Sequence, residues 1–305
     1  MTAPPLVAAK QQLRALIKWR LSAVSPESLA SQSRNILNAL QTFPPYRDAT
    51  RISIFLSMPG AEVQTDAIVR HALGCGKHVF VPYLHKPPPE TPDAPTRVMD
   101  MVHLAGLDDY EGLVPDRWGI PSVDPATVHH RRRVLIGSPE MRSALDLILL
   151  PGVAFDFDDT GHVRRLGHGR GFYDFFLNRY LSGHSPILLV GLALNEQVLS
   201  PSADEQVPVG PHDRKLHGLI LGSGQVRIPA SHDNCLASRA ATKQHWLLLG
   251  WGQGSGGVAR CVCEVLPRQT LGYAPPMIRP LFRGPDTSLC ADTEGVLRSC
   301  YLRPI

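Results

Sequence analysis

Long apolar runs are missing from this chain. The longest, such as PILLVGLAL from Pro186, is strand-sized, well short of the ~18–20 residues that a membrane helix needs. No apolar segment of a secretory signal stands near the start. Charge of one sign is also lacking. A net charge of +4 on 305 residues gives no reason to expect a nucleic-acid surface. Cysteine is scarce through residue 230, where Cys75 stands alone; Cys235, Cys261, Cys263, Cys290 and Cys300 all follow. That usage suits a reducing compartment, and Cys261-x-Cys263 lacks the second pair that a zinc site requires. No internal repeat is evident.

The 305 residues, 43 % of them hydrophobic, suffice for one large domain or two small ones. Residues 5–23 read as a helix, with Leu13, Ile17 and Leu21 as its buried stripe and Leu16 widening it. Lys10 and Arg14 share a neighbouring face one turn apart. The same segment is acid-poor until Glu27, so it also fits a mitochondrial transit segment. Ser25 caps a second helix, with Pro26 at its first position, running to about Gln41. A strand over 51–56, a helix from Glu62 to Leu73 and a strand over 77–82 make a βαβ unit and predict a parallel sheet. Residues 85–95 are Pro-rich and loop-like. Further strands are expected over 99–104, 145–150, 186–194 and 216–221, with a turn at Trp118-Gly119-Ile120-Pro121 and a solvated loop or short helix over 122–142. Beyond Gly224 no sustained period remains. Residues 225–305 read as a poorly ordered extension outside the chemistry.

The richest stretch is Pro151–Asp174, PGVAFDFDDTGHVRRLGHGRGFYD. An apolar strand feeds an acidic turn, then a basic segment interleaved with Gly167, Gly169 and Gly171, then a helical pattern. Glycines admit close backbone approach, a helix N-terminus offers free N–H groups, and arginines fit phosphate oxygens. The loop lacks the Lys-Ser/Thr of a Walker A motif and the spacing of a dinucleotide fingerprint. The acidic turn begins like a calcium loop, but Thr160 and Gly167 stand at its fifth and twelfth positions. Two readings stay open from the residues alone: a phosphate cradle, or a basic surface hairpin whose glycines serve turn geometry.

Five ordered segments resemble the 5-formyltetrahydrofolate cyclo-ligases, also called methenyltetrahydrofolate synthetases. They are Lys10-x-x-Leu13-Arg14; Ile54-Phe55-Leu56-Ser57-Met58 with Glu62 and Thr65; Met99-Asp100-Met101 with Trp118-x-Ile120-Pro121; Arg165-Leu166-Gly167-x-Gly169-Arg170-Gly171-Phe172-Tyr173-Asp174; and Val207-Pro208-Val209 with Asp213. Together they span residues 8–222. Arg170 stands where relatives often carry Lys, Phe172 where Tyr is common, and His217 where an acidic residue is expected.

The resemblance implies an α/β fold, a three-layer α/β/α sandwich with a mostly parallel sheet like that of CoA transferases and sugar-phosphate isomerases, over residues 1–224. It implies an ATP-dependent enzyme turning 5-formyltetrahydrofolate into 5,10-methenyltetrahydrofolate. ATP would be held by Lys10, Arg14, Arg165, Leu166, Gly167, His168, Gly169, Arg170, Gly171, Phe172 and Tyr173. Arg170 would stabilise the transferring phosphoryl group, with Tyr173 as the second catalytic residue. Leu56, Met58, Glu62, Phe172 and Tyr173 would line the folate pocket, and Asp174 and Asp213 would bind Mg2+. The implied partners are small molecules, with no nucleic acid and no membrane, and the implied protein is a monomer of the cytoplasm, a mitochondrial address being the alternative. Two other readings compete. One is a non-catalytic folate- or nucleotide-binding relative. The other is an isomerase or CoA transferase, for which no nucleophile or base at a strand end is convincing.

Overall fold

The computed structural model describes residues 5–60, 62–89, 95–136, 144–183, 187–200, 205–229, 290–291 and 297–298. Helix α1 (Leu6–Ser22) buries Leu13 and Ile17, as its stripe predicts. Helix α2 (Pro26–Thr42) starts where Ser25 accepts a hydrogen bond from the Ser28 N–H, a cap that satisfies one orphan donor of the first turn. Short helix α3 (Pro44–Asp48) leads into β1 (Arg51–Ile54). Helix α4 (Asp66–Gly74) connects β1 to β2 (His78–His85), and β1 and β2 pair in parallel.

Strand β3 (Val98–His103) turns back antiparallel to β2. Helix α5 (Leu107–Glu111) and the small hairpin β4 (Val114–Pro115) and β5 (Pro121–Ser122) follow, with Gly119 at φ +77° in its turn. Residues 125–130 form a 3-10 helix that buries Val128, so the segment after 122 is only partly solvated. Strand β6 (Leu147–Leu150) then joins the sheet beside β1.

The stretch after β6 contains a hairpin, as one of its two open readings holds, but with the acidic side as a strand of its own. Strands β7 (Ala154–Phe157) and β8 (Val163–Leu166) form an antiparallel hairpin. Asp156 accepts two hydrogen bonds from Arg164 across it, both 2.7 Å. The acidic turn and half of the basic segment therefore answer each other. The hairpin packs by way of Phe155, which is fully buried. A Cβ on Gly152 would stand 2.4 Å from that ring, so any larger residue there displaces the hairpin.

Helix α6 (Phe172–Gly183) follows, then β9 (Leu188–Ala193), β10 (Gly218–Leu221) and β11 (Val226–Arg227). The sheet order is β11-β10-β9-β6-β1-β2-β3. Its inner pairs are parallel, and β3 and β11 are antiparallel edges. Strand β9 is buried at every residue, as a central parallel strand should be. Alternate strand residues enter two cores: Ile52, Ile54, Leu147, Leu149 and Val190 face the side of α2 and α4, while Phe80, Ile148, Leu150 and Leu189 face α6. This is the expected α/β layering.

Strand β11 carries the sheet past the expected domain end at Gly224. Two residues are too few to show a period in sequence. The chain divides into units Met1–Gln244 and His245–Ile305. In the second, Cys290–Ala291 pairs antiparallel with Leu297–Arg298; the rest of the proposed extension from residue 230 lies outside the described residues. Among the described residues, no helix is long and apolar enough to cross a membrane.

Candidate active site

The strand order fixes where a ligand can enter. From β1 the chain moves outward on one side to β2, and later on the other side to β6, β9 and β10. The order reverses between β1 and β6, and crevices form beyond the carboxyl ends of strands at such a point. The loop after β1 holds Leu56, Met58 and Glu62; the turn after β6 holds Pro151 and Gly152.

The first of these loops is tied down closely. The Ser57 N–H donates to Thr65 Oγ1 and the Thr65 N–H to Ser57 Oγ, both at 3.1 Å. Gln64 Nε2 donates to the carbonyls of Met58 and Glu62. Glu62 accordingly sits in the loop before α4, not on a helix as expected. Its side chain turns inward, leaving it 8 % exposed, and Oε1 accepts the Met58 N–H at 2.8 Å. Burial pushes its carboxyl up to about 7, against the lowering effect of that hydrogen bond. Burial and the neighbouring Glu62 also raise the Tyr173 hydroxyl, with Arg165 opposing. Glu62 of the β1 loop and Tyr173 of α6 thus lie within electrostatic reach of one another, and Leu56 is buried in the same core that Tyr173 packs against. Met58 and Phe172 are half-buried.

The glycine-rich loop lies against α1. Arg14 Nε donates to the Gly167 carbonyl at 2.8 Å. Gly169 has φ +104°, and a Cβ there would lie 3.4 Å from Arg14 Cζ. That conformation costs a side-chain-bearing residue roughly 1–2 kcal/mol, so, on the resemblance's assignment of this loop to ATP, Gly169→Ala should weaken nucleotide binding about tenfold. An unchanged nucleotide Kd would show that binding does not use this loop shape. His168 and Arg170 are exposed. Partial desolvation, with Arg14 and Arg165 close by, lowers the His168 imidazole pKa, so at neutral pH it adds little positive charge. Arg170 makes no hydrogen bond or ion pair among the described residues.

Arg165 does something different from what its place in a basic loop suggests. Its side chain is 3 % exposed. It lies within β8, donates through Nη2 to both Asp174 oxygens at 3.0 Å, and through Nη1 to the Pro151 carbonyl at 3.3 Å. Its guanidinium lies 5.6 Å from the Tyr173 ring centre. Leu166 is buried beside it. Asp174 also accepts the Arg214 N–H at 3.1 Å, a tie that no sequence signal reveals.

Asp213 pairs with Lys10 from α1 and accepts the Gly210 N–H on the same Oδ2. Its Oδ1 accepts no hydrogen bond among the described residues. Asp213 adjoins Arg214, whose N–H reaches Asp174, so the two carboxylates flank one loop. Among the described residues, no three His, Cys, Asp or Glu side chains cluster as a metal cage. Mg2+ bound with nucleotide phosphates needs only one or two carboxylates, and the spare Asp213 oxygen fits that use. His217, where an acidic residue was expected, accepts the Leu189 N–H on Nδ1 at 3.0 Å near the start of β9.

Comparison with known proteins came out consistently. Residues 7–221 match the model of the 5-formyltetrahydrofolate cyclo-ligase family. A mouse protein named 5-formyltetrahydrofolate cyclo-ligase is 33 % identical, over 72 % of this chain and 97 % of its own length. A Saccharomyces cerevisiae protein of the same name is 30 % identical, over 72 % and 98 %. A Caenorhabditis elegans protein named as a probable member is 30 % identical, over 69 % and 91 %.

Proposed function

This chain belongs to the 5-formyltetrahydrofolate cyclo-ligase family, and from that membership we propose that its crevice uses ATP to close 5-formyltetrahydrofolate into 5,10-methenyltetrahydrofolate, releasing ADP and phosphate. The observation that supports the reading is that the glycine-rich loop bonds to Arg14 of α1 and leads into Tyr173, on whose hydroxyl Glu62 of the β1 loop acts. Lys10, Arg14 and the 167–171 loop offer cationic and backbone donors on one side, and Glu62 with Tyr173 offers a buried polar wall on the other.

The chemistry accounts for both halves. A formamide oxygen is a poor leaving group, so it first attacks the γ-phosphorus of ATP and displaces ADP. The neighbouring folate nitrogen then attacks the activated carbon and releases its proton to solvent, the ring closes, and phosphate leaves with the former formyl oxygen. Protein catalysis of the first step is positioning and charge neutralisation. Lys10 and Arg14 bind the phosphates, and the exposed Arg170 meets the γ-phosphoryl group in transfer. Tyr173 and Phe172, with Leu56 and Met58 opposite, hold the pterin, and Glu62 accepts its N–H donors. Mg2+ bound by Asp213, with Asp174 as its neighbour, would neutralise charge on the phosphates. Arg165 acts through Asp174 and Tyr173, setting the position of both.

Labelling tests the proposed order of bonds. Substrate carrying 18O in the formyl group should deliver that label to inorganic phosphate. Label retained by the folate product would exclude a phosphorylated formyl intermediate.

Glu62 gives a pH signature. In the free protein its carboxyl titrates near 7 rather than 4.5. The native state therefore keeps the proton longer than the unfolded chain, and stability falls as pH rises from about 4.5 to about 7. Pterin donors favour the ionised form, so folate affinity should rise through pH 7. Glu62→Gln should bind more weakly and flatten both profiles. A variant that keeps the parental pH dependence would remove Glu62 from the pterin contact.

A further inference from the structure

We propose that His85, Arg133 and Arg179 form an anion site for a phosphate-type oxyanion at the β3 edge of the sheet. Three structural elements converge there. His85 ends β2 and pairs in register with Val98 of β3. Residues 132–135 run along the far side of β3, with Val102 opposite Arg133 and the Val134 N–H donating to the Met101 carbonyl. Arg179 comes from α6 and lies, like Arg133 and Asp100, within electrostatic reach of His85.

The cluster is cationic and incompletely bonded. Asp100 is fully buried and is the carboxylate that acts on His85 among the described residues. It is already committed: Oδ1 accepts the Met101 and Leu135 N–H groups, and Oδ2 accepts Arg133 Nε at 3.0 Å. Arg133 therefore takes the last of that carboxylate's oxygens, and Arg179 makes no ion pair among the described residues. Arg133 Nη2, Arg179 Nη1 and His85 Nε2 are all buried without a hydrogen-bond partner. Buried polar groups are almost always satisfied, and a group of neighbouring exceptions needs an explanation.

The His85 ring shows which ligand would supply it. Its Nδ1 lies 2.6 Å from the Lys86 carbonyl. A carbonyl only accepts, so Nδ1 carries the proton and Nε2 is the open position. Burial, followed by Arg133 and Arg179, keeps the ring from protonating, with Asp100 opposing. An oxyanion between the guanidiniums reverses that balance. It would take N–H donors from Arg133 and Arg179, and draw a proton onto Nε2 as a third. Donors arriving from a strand end, a strap and a helix suit a tetrahedral ion better than a planar carboxylate.

The test follows the His85 imidazole resonance by NMR in the full-length protein, assigned with His85→Asn, during titration with inorganic phosphate. A saturable shift toward the protonated form is expected. It should persist in Arg170→Ala, which separates it from phosphate binding in the crevice. It should vanish in Arg179→Met, which should retain parental cyclo-ligase turnover. Absence of a phosphate-dependent shift, or its survival in both Arg179→Met and Arg133→Met, would overturn the site. A response to glutarate but not to phosphate would overturn the assignment to a phosphate-type ligand.

Discussion

Replacing Arg170 by alanine should lower kcat about a thousandfold, the lower end of what an arginine directed at a transferring phosphoryl group contributes. Folate affinity should stay within about threefold of the parent, because in the proposed role the lost contact is made in the transition state. Arg170 lies between two glycines with positive φ, Gly169 and Gly171, and is exposed. Its side chain holds nothing together among the described residues, so the melting temperature should not move. Arg170→Lys should recover part of the rate, since charge returns without the forked donor geometry. Equal losses in kcat and folate binding would place Arg170 in the substrate pocket instead.

The two carboxylates offered to Mg2+ should separate on stability. Asp174 neutralises a guanidinium that is 3 % exposed. Removing one partner of a buried pair costs about 3 kcal/mol or more. Asp174→Asn should therefore lower the melting temperature by roughly 6–12 °C in a domain of this size and abolish turnover. Asp213 pairs with Lys10 at side-chain exposures of 24 % and 18 %, where such a pair contributes about 1 kcal/mol or less. Asp213→Asn should abolish turnover with little change in melting temperature. Calorimetry on both variants decides the matter. Equal destabilisation would contradict the separate roles given to Asp174 and Asp213.

Much of this architecture is legible in residue order because its determinants are local. The Ser25 cap, the Leu13–Ile17 stripe, the apolar β9 and the β1-α4-β2 unit each follow from periods or caps within one segment. What escapes is set by tertiary partners. Arg164 and Arg165 are neighbours in one basic run, yet strand alternation sends one to Asp156 and the other to Asp174. Glu62 reads as a helix-terminal charge, but α4 begins only at Asp66 and Gln64 and Thr65 pin the loop before it. A hairpin is one open reading of the basic stretch, but its partner strand β7 escapes because the acidic side looks like a separate turn until the two pair.

The glycine-rich loop keeps its expected place at the entrance to α6, while its charges divide. Arg165 is internal and bonds to Asp174 beside the Tyr173 ring, while Arg170 is exposed and Arg14 holds the Gly167 carbonyl.

The central claim is an ATP-dependent ring closure, and near-UV absorbance of the methenyl product tests it most directly. Purified protein is given 5-formyltetrahydrofolate with and without Mg-ATP. The account predicts product only when Mg-ATP is present, with one ADP formed for each methenyl group. Product without ATP, or none with it, would contradict the account.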